Sequence, residues 1–225
     1  MLKGRGILSE SQKTFLQLFS GLPDQEHFYL TGGTALAEYY LGHRLSFDLD
    51  LFTSETDLIL PFSYRVEQAA QNAGLQVDMI RRFASFVEFQ IKQGENTLRV
   101  DLALDSPFRF APAEVGDAGV LVNDFQDIQT DKFLAFLGRA EPRDAVDLYF
   151  LLQRTQFKDL AELARQKDPG FDLYWFAVAL NRTEKFPDEI ERWPVKMLVE
   201  LDPVDLKRLF QNLAMNILAE NTGKG

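Results

Sequence analysis

Apolar positions along this chain follow two periods, and the period changes about halfway. Phe15, Leu16, Leu18 and Phe19 share one helical stripe, which predicts a first helix over 9–21 that Gly21 and Pro23 end. Phe28, Tyr29 and Leu30 read as a short strand, and Gly32 and Gly33 follow at once. A helix is expected over 35–41, with Thr34 as its N-cap and Gly42 as its stop. The residues at 47–52 alternate as a strand, and 60–73 reads as a helix opened by Pro61. Three further strands are expected over 77–83, 86–92 and 98–104, with Gln93, Gly94, Glu95 and Asn96 supplying hairpin chemistry.

From 108 to 124 the chain is broken by Pro and Gly and carries one short apolar run, Val120 to Val122. Beyond Asp127 the period becomes helical, over 130–137, 143–154, 160–166, 173–180 and 203–218. Strands early and helices late predict an α+β chain: a mixed sheet with helices, followed by a helical C-terminal subdomain. The expected divisions are an N-terminal helix at 1–23, a mixed subdomain at 24–112 and a helical subdomain at 124–222.

Composition narrows the function. The 225 residues include 24 basic and 34 acidic side chains, a net charge of −10, so a surface built throughout for nucleic acid is excluded, while a local basic groove is not. With no Cys there is no disulfide and no thiolate chemistry, and a reducing cytoplasm is the expected location. Two His cannot make a His-rich zinc site. No run approaches the roughly 18 apolar residues of a membrane span, so no membrane partner is expected.

The sharpest local feature is Asp48-Leu49-Asp50. Side chains alternate on a strand, so Asp48 and Asp50 share one face while Phe47, Leu49 and Leu51 are expected to pack on the other. Two carboxylates this close need compensation from water, from Lys or Arg, or from a divalent cation, and Mg²⁺ suits carboxylates combined with phosphate oxygens. Asp101 points away from the apolar residues Val100, Leu102 and Leu104 on a later strand. It becomes a third metal carboxylate if that strand neighbours the first. The paired glycines before a helix allow close approach of backbone N–H groups to an anion, so Gly32, Gly33 and the Thr34 hydroxyl form a candidate phosphate cradle.

Thr31 to Ala37, Leu41 to Ser46 and Asp48 to Phe52 together resemble the signature of the AbiEii/AbiGii-type nucleotidyltransferase toxins, within the polymerase-β-like superfamily. The later block Lys132 to Arg139, followed by Arg143, Asp144 and Asp147, resembles that family's second motif. The resemblance implies Mg²⁺-dependent transfer of a nucleotide from an NTP to an acceptor. It also implies one half of a bacterial toxin–antitoxin or abortive-infection pair, with an antitoxin partner and tRNA as an acceptor for some members. Gly33 and Thr34 match the phosphate turn, Asp48 and Asp50 the metal pair, Lys132 a lysine near the triphosphate, and Asp144 the later acidic position.

Arg44 is placed either to balance the two aspartates or to bind phosphate. Lys132 and Arg139, seven apart, share a helix face and could both reach a triphosphate. Asp147 is expected to pair with Arg143 or Arg139. Arg81 and Arg82 diverge on their strand and offer a weak acceptor contact. An acidic chain also fits a small cationic acceptor, aminoglycoside-like, or a protein side chain. A nucleotide-binding module without turnover is the non-enzymatic alternative.

Overall fold

The computed structural model describes residues 1–222. The chain divides into two compact units, residues 1–128 and Gln129 onward.

The first unit carries one seven-stranded sheet. Its strands are β1 (Tyr29–Thr31), β2 (Leu49–Thr53), β3 (Gln76–Phe83), β4 (Phe86–Gln93), β5 (Asn96–Leu104), β6 (Glu114–Val115) and β7 (Leu121–Val122). The order is β3-β4-β5-β2-β1-β7-β6, with β2 parallel to β5, β1 parallel to β7 and the other neighbours antiparallel. Leu49, Leu51, Val87, Phe89, Ile91, Leu98, Val100 and Leu102 alternate into the core. Helices α1 (Glu10–Ser20) and α3 (Ile59–Asn72) contribute to that core. Phe28 stacks on Phe62 at 4.3 Å between ring centres, and Phe19 meets both edge-on.

α1 opens with a reciprocal capping box between Ser9 and Gln12. The helix after the glycines starts at Gly32 rather than after Thr34. Its first turn is α2 (Gly32–Ala35), with Thr31 at the cap position and no side-chain capping bond. Thr34 does not act as the cap, because its hydroxyl is engaged by the main chain of Asp48. The helix continues as a π-helical turn, Leu36–Leu41, closed by Gly42 N–H donating to Ala37 O, with Gly42 left-handed at φ 67°. Phe47 is also a correction: it is 60% exposed, because β2 begins at Leu49 and Phe47 precedes the alternation. Segment 108–124, expected to be irregular, supplies the two short strands β6 and β7.

The buried Glu38 carboxylate accepts from the N–H groups of Gly6, Ile7 and Leu8 at 2.8, 2.8 and 3.1 Å. Three donors on one buried carboxylate fix the segment ahead of α1.

The second unit is helical. α4 (Phe125–Arg139) starts within the first unit, and α5 (Pro142–Leu152), α6 (Phe157–Lys167), α7 (Leu173–Arg182) and α8 (Pro203–Thr222) follow. Phe133 stacks on Phe176 at 4.1 Å between ring centres, and Phe136 meets Phe210 edge-on. Trp193 is buried in this core, whereas Trp175 is exposed.

Candidate active site

Strand register brings together side chains that lie far apart in sequence. The parallel pairing of β2 with β5 sets Asp50 opposite Asp101. The antiparallel neighbours extend this line, with Glu88 opposite Asp101 and Arg81 opposite Glu88. On the other flank Thr31 stands opposite Asp50. Register partners project to one face, so Arg81, Glu88, Asp101, Asp50 and Thr31 form a polar row across the sheet. The residues on either side of this row, such as Leu49, Val100 and Phe89, point to the opposite, apolar face.

Arg99, two positions before Asp101 on the same face, holds that carboxylate in a fork: Nε to Oδ1 at 3.0 Å and Nη2 to Oδ2 at 2.7 Å. The same guanidinium lies 3.6 Å from Glu88, and Arg81 approaches Glu88 at 3.5 Å. Burial pushes the Asp101 carboxyl above the usual carboxylate range. Arg99 opposes that shift, while the Glu88 and Asp48 charges add to it. The bond to Asp101 holds Arg99 still more firmly protonated. Asp48 lies one residue ahead of β2, half-buried, and its charge is felt by both members of the pair.

The glycine turn abuts this row. Gly32 is left-handed at φ 70°, and a Cβ there would collide with the Asp50 carboxylate, reaching its Cγ at 2.7 Å. Only glycine meets both conditions. A Cβ on Gly33 would press on Ser46 Oγ and on an Arg44 Nη at 2.7 and 2.9 Å. Arg44 is buried and donates to Leu45 O at 3.0 Å. The buried Thr34 hydroxyl donates to Asp48 O. Gln12, from α1, donates through Nε2 to Ser46 O at 2.9 Å and reaches Thr34 Oγ1 at 3.4 Å. The backbone leading into Asp48 is therefore tied to both the glycine turn and α1.

In the second unit, Lys132 and Asp147 form a buried ion pair at 2.9 Å, and Arg139 grips the buried Asp144 in a fork at 2.6 and 2.7 Å. Asp147 pairs with Lys132, while Arg139 holds Asp144 and Arg143 meets Glu141. Arg81 and Arg82 diverge: Arg82 leaves the polar row, pairs with Glu67 and lies over the Tyr64 ring.

Asp48, Asp50, Asp101 and the glycine turn all belong to the first unit, and Lys132, Arg139 and Asp144 to the second. Sequence reasoning missed Glu88, Arg99 and Gln12. Glu88 and Arg99 had a usable signal, since each sits at a polar position of an alternating strand. Gln12 had its capping-box spacing from Ser9, but nothing foretold the reach of its amide to Ser46.

Asp48, Asp50 and Asp101 offer carboxylate oxygens, the donor type a hard divalent cation takes, although they are not a group of three whose ligand atoms lie within 4.8 Å of one another among the described residues. Elsewhere, Asp24, Glu26 and His27 bring their ligand atoms within 4.8 Å of one another on a surface loop.

Comparison with known proteins supplies the family. The family described as "Nucleotidyl transferase AbiEii toxin, Type IV TA system" matches residues 14–220. An uncharacterised protein of Aquifex aeolicus is 27% identical over 195 residues, covering 82% of this chain and 85% of its own. MenT4, a nucleotidyltransferase toxin of Mycobacterium tuberculosis, has a similar fold: TM-score 0.65, 16% identity, 92% of this chain and 82% of that one. JHP933 from Helicobacter pylori gives a TM-score of 0.57 at 20% identity, covering 96% of each chain. With its glycine turn set against a carboxylate row and the family match running over nearly its whole length, the chain belongs to the AbiEii nucleotidyltransferase toxin family.

Proposed function

We propose that this nucleotidyltransferase moves a nucleoside monophosphate from an NTP to an RNA acceptor, with tRNA foremost, and that it works in the cytoplasm opposite an antitoxin. The observation that carries this reading is the register-locked pair of Asp50 and Asp101, set against a turn where Gly32 cannot bear a side chain.

In this reading Asp48, Asp50 and Asp101 hold Mg²⁺, which when bound neutralises phosphate charge and makes the acceptor hydroxyl more acidic. The N–H groups of Gly32 and Gly33 open a helical stretch that runs on to Leu41, and they receive phosphate oxygens. Thr34 serves the site through its bond to Asp48 O, fixing the aspartate backbone. The acceptor oxygen attacks the α-phosphorus, the bond from that phosphorus to the bridging oxygen breaks, and pyrophosphate departs. The hydroxyl proton passes to a carboxylate of the row. Lys132 is assigned to the phosphates and Asp144 to the catalytic set on the strength of the motif match, and Arg44 and Arg139 are assigned to the phosphates as nearby cations in the sequence.

The test supplies each of four labelled NTPs with Mg²⁺ to total RNA and total protein, beside an Asp48→Ala/Asp50→Ala variant. Label in RNA that the variant fails to produce is the expected result. Label in protein alone would move the acceptor to a side chain. The net charge of −10 favours a small cationic acceptor as the second reading, and label in neither polymer but in an added aminoglycoside would establish it.

A further inference from the structure

The polar row contains a cation of its own. Arg99 spends its fork on both oxygens of Asp101, lies 3.6 Å from Glu88, and feels the charge of Asp48. A bidentate fork is the strongest arrangement an arginine makes with a carboxylate. It occupies the oxygens that a metal would need on Asp101, and it adds positive charge where a divalent ion would sit.

Arg99 is the more exposed partner of this pair. Its side chain is 44% exposed, whereas that of Asp101 is 10% exposed. The carboxylate is fixed by the sheet, while the guanidinium sits on a long stem that can swing away. Glu88, the other anion beside it, shares its charge with Arg81.

We propose that Arg99 is the resident counter-ion of the carboxylate row, and that it sets the site's preference for a metal–nucleotide complex over a free divalent cation. This rests on the reading that Asp48, Asp50 and Asp101 hold the metal. Glu88 and Asp101 share the guanidiniums of Arg81 and Arg99, and strand register sets Asp50 beside Asp101. A bare divalent ion must compete with Arg99 for Asp101 and gives the displaced guanidinium no new partner. A metal-bound triphosphate brings its own oxygens, so the freed fork exchanges one anion for another. Arg99 is thus a positioning residue: it keeps Asp101 aligned until the nucleotide arrives, then turns to the phosphates.

The experiment reads metal and nucleotide binding without turnover. Free Mn²⁺ is titrated by electron paramagnetic resonance against the wild type, Arg99→Gln, Arg99→Lys and Asp50→Asn. The affinity for a non-hydrolysable NTP analogue is then measured with the metal present. Arg99→Gln should bind free Mn²⁺ about tenfold more tightly and the metal–nucleotide about tenfold more weakly. Arg99→Lys, which keeps the charge and loses the fork, should fall between. Arg99 is exposed, so all variants should keep the wild-type circular dichroism. Unchanged or weaker Mn²⁺ binding by Arg99→Gln, while Asp50→Asn abolishes it, would overturn the role of Arg99 and leave the metal site standing. Mn²⁺ binding that survives Asp50→Asn in a chain that also carries Glu26→Gln and His27→Ala, which remove the converging group at Asp24, would instead overturn the metal site itself.

Discussion

Gly32 is the most constrained single residue of the site. Its φ of 70° would cost an alanine about 1–2 kcal/mol, and the added methyl would also drive Asp50 from its place. Gly74 supplies the control, since its φ is 78° and nothing lies within 4 Å of the Cβ position. Both Gly32→Ala and Gly74→Ala should therefore lose stability in thermal melts, Gly32→Ala the more because of its clash with Asp50. Only Gly32→Ala should lose transfer, by tenfold or more. The paired glycines were legible in the sequence because glycine before a helix has few uses, but the reason for the first of them was not. That reason is a carboxylate eighteen positions later, which only the pairing of β1 with β2 brings alongside.

Among the elements, α1 does more than cover the sheet. Gln12 closes the capping box through its carbonyl oxygen and spends its amide group on Ser46 O. Gln12→Glu keeps the acceptor and loses the donor, setting a carboxylate against main-chain carbonyls. It should cost about 1–3 kcal/mol in denaturant unfolding, and transfer should fall while the helical signal is kept. The π-helical turn carries a second expectation. Burial pushes the Tyr39 phenol up to about 12 from 10.0, and Tyr40 is raised as well. A phenol whose folded value exceeds its unfolded one contributes stability below pH 10.0, and that contribution fades as pH climbs toward about 12. Unfolding free energy should thus drop by about 2 kcal/mol across that window, and Tyr39→Phe should flatten the slope. Strands and helices were readable from periodicity to within a few residues. The π turn was not, because Leu36 to Leu41 looks like any buried helix. Nor was the start of β2, because Phe47 continues the alternation in sequence while its backbone has already left the sheet.

At the scale of the whole molecule, the negative charge and the nucleic-acid expectation pull in opposite directions. With 24 basic against 34 acidic residues, an RNA acceptor has to be held by local cations and not by the overall field. Membership of a toxin family gives the plainest outcome to measure. Induced expression in bacteria should arrest growth, and the Asp48→Ala/Asp50→Ala variant expressed to the same level should not. The early strands and later helices were legible, as was the motif block carrying Asp48 and Asp50. The strand order was not, since β3 and β4 intervene in sequence between two strands that lie side by side. Whether Asp101 joined Asp50 depended on that adjacency, and no local pattern encodes it.

The same adjacency has a consequence for a chain that is still being made. The glycine turn, Asp48 and Asp50 leave the ribosome early, but the strand that completes the row is the last of the β3–β4–β5 meander to emerge. Until β5 has been synthesised and has zipped onto β2, Asp50 has no Asp101 beside it, and Asp101 has no fixed face. A slip of one residue in that pairing would send Asp101 to the apolar side. On the proposed reading, the nascent chain therefore lacks its full carboxylate row for as long as its central sheet is unfinished.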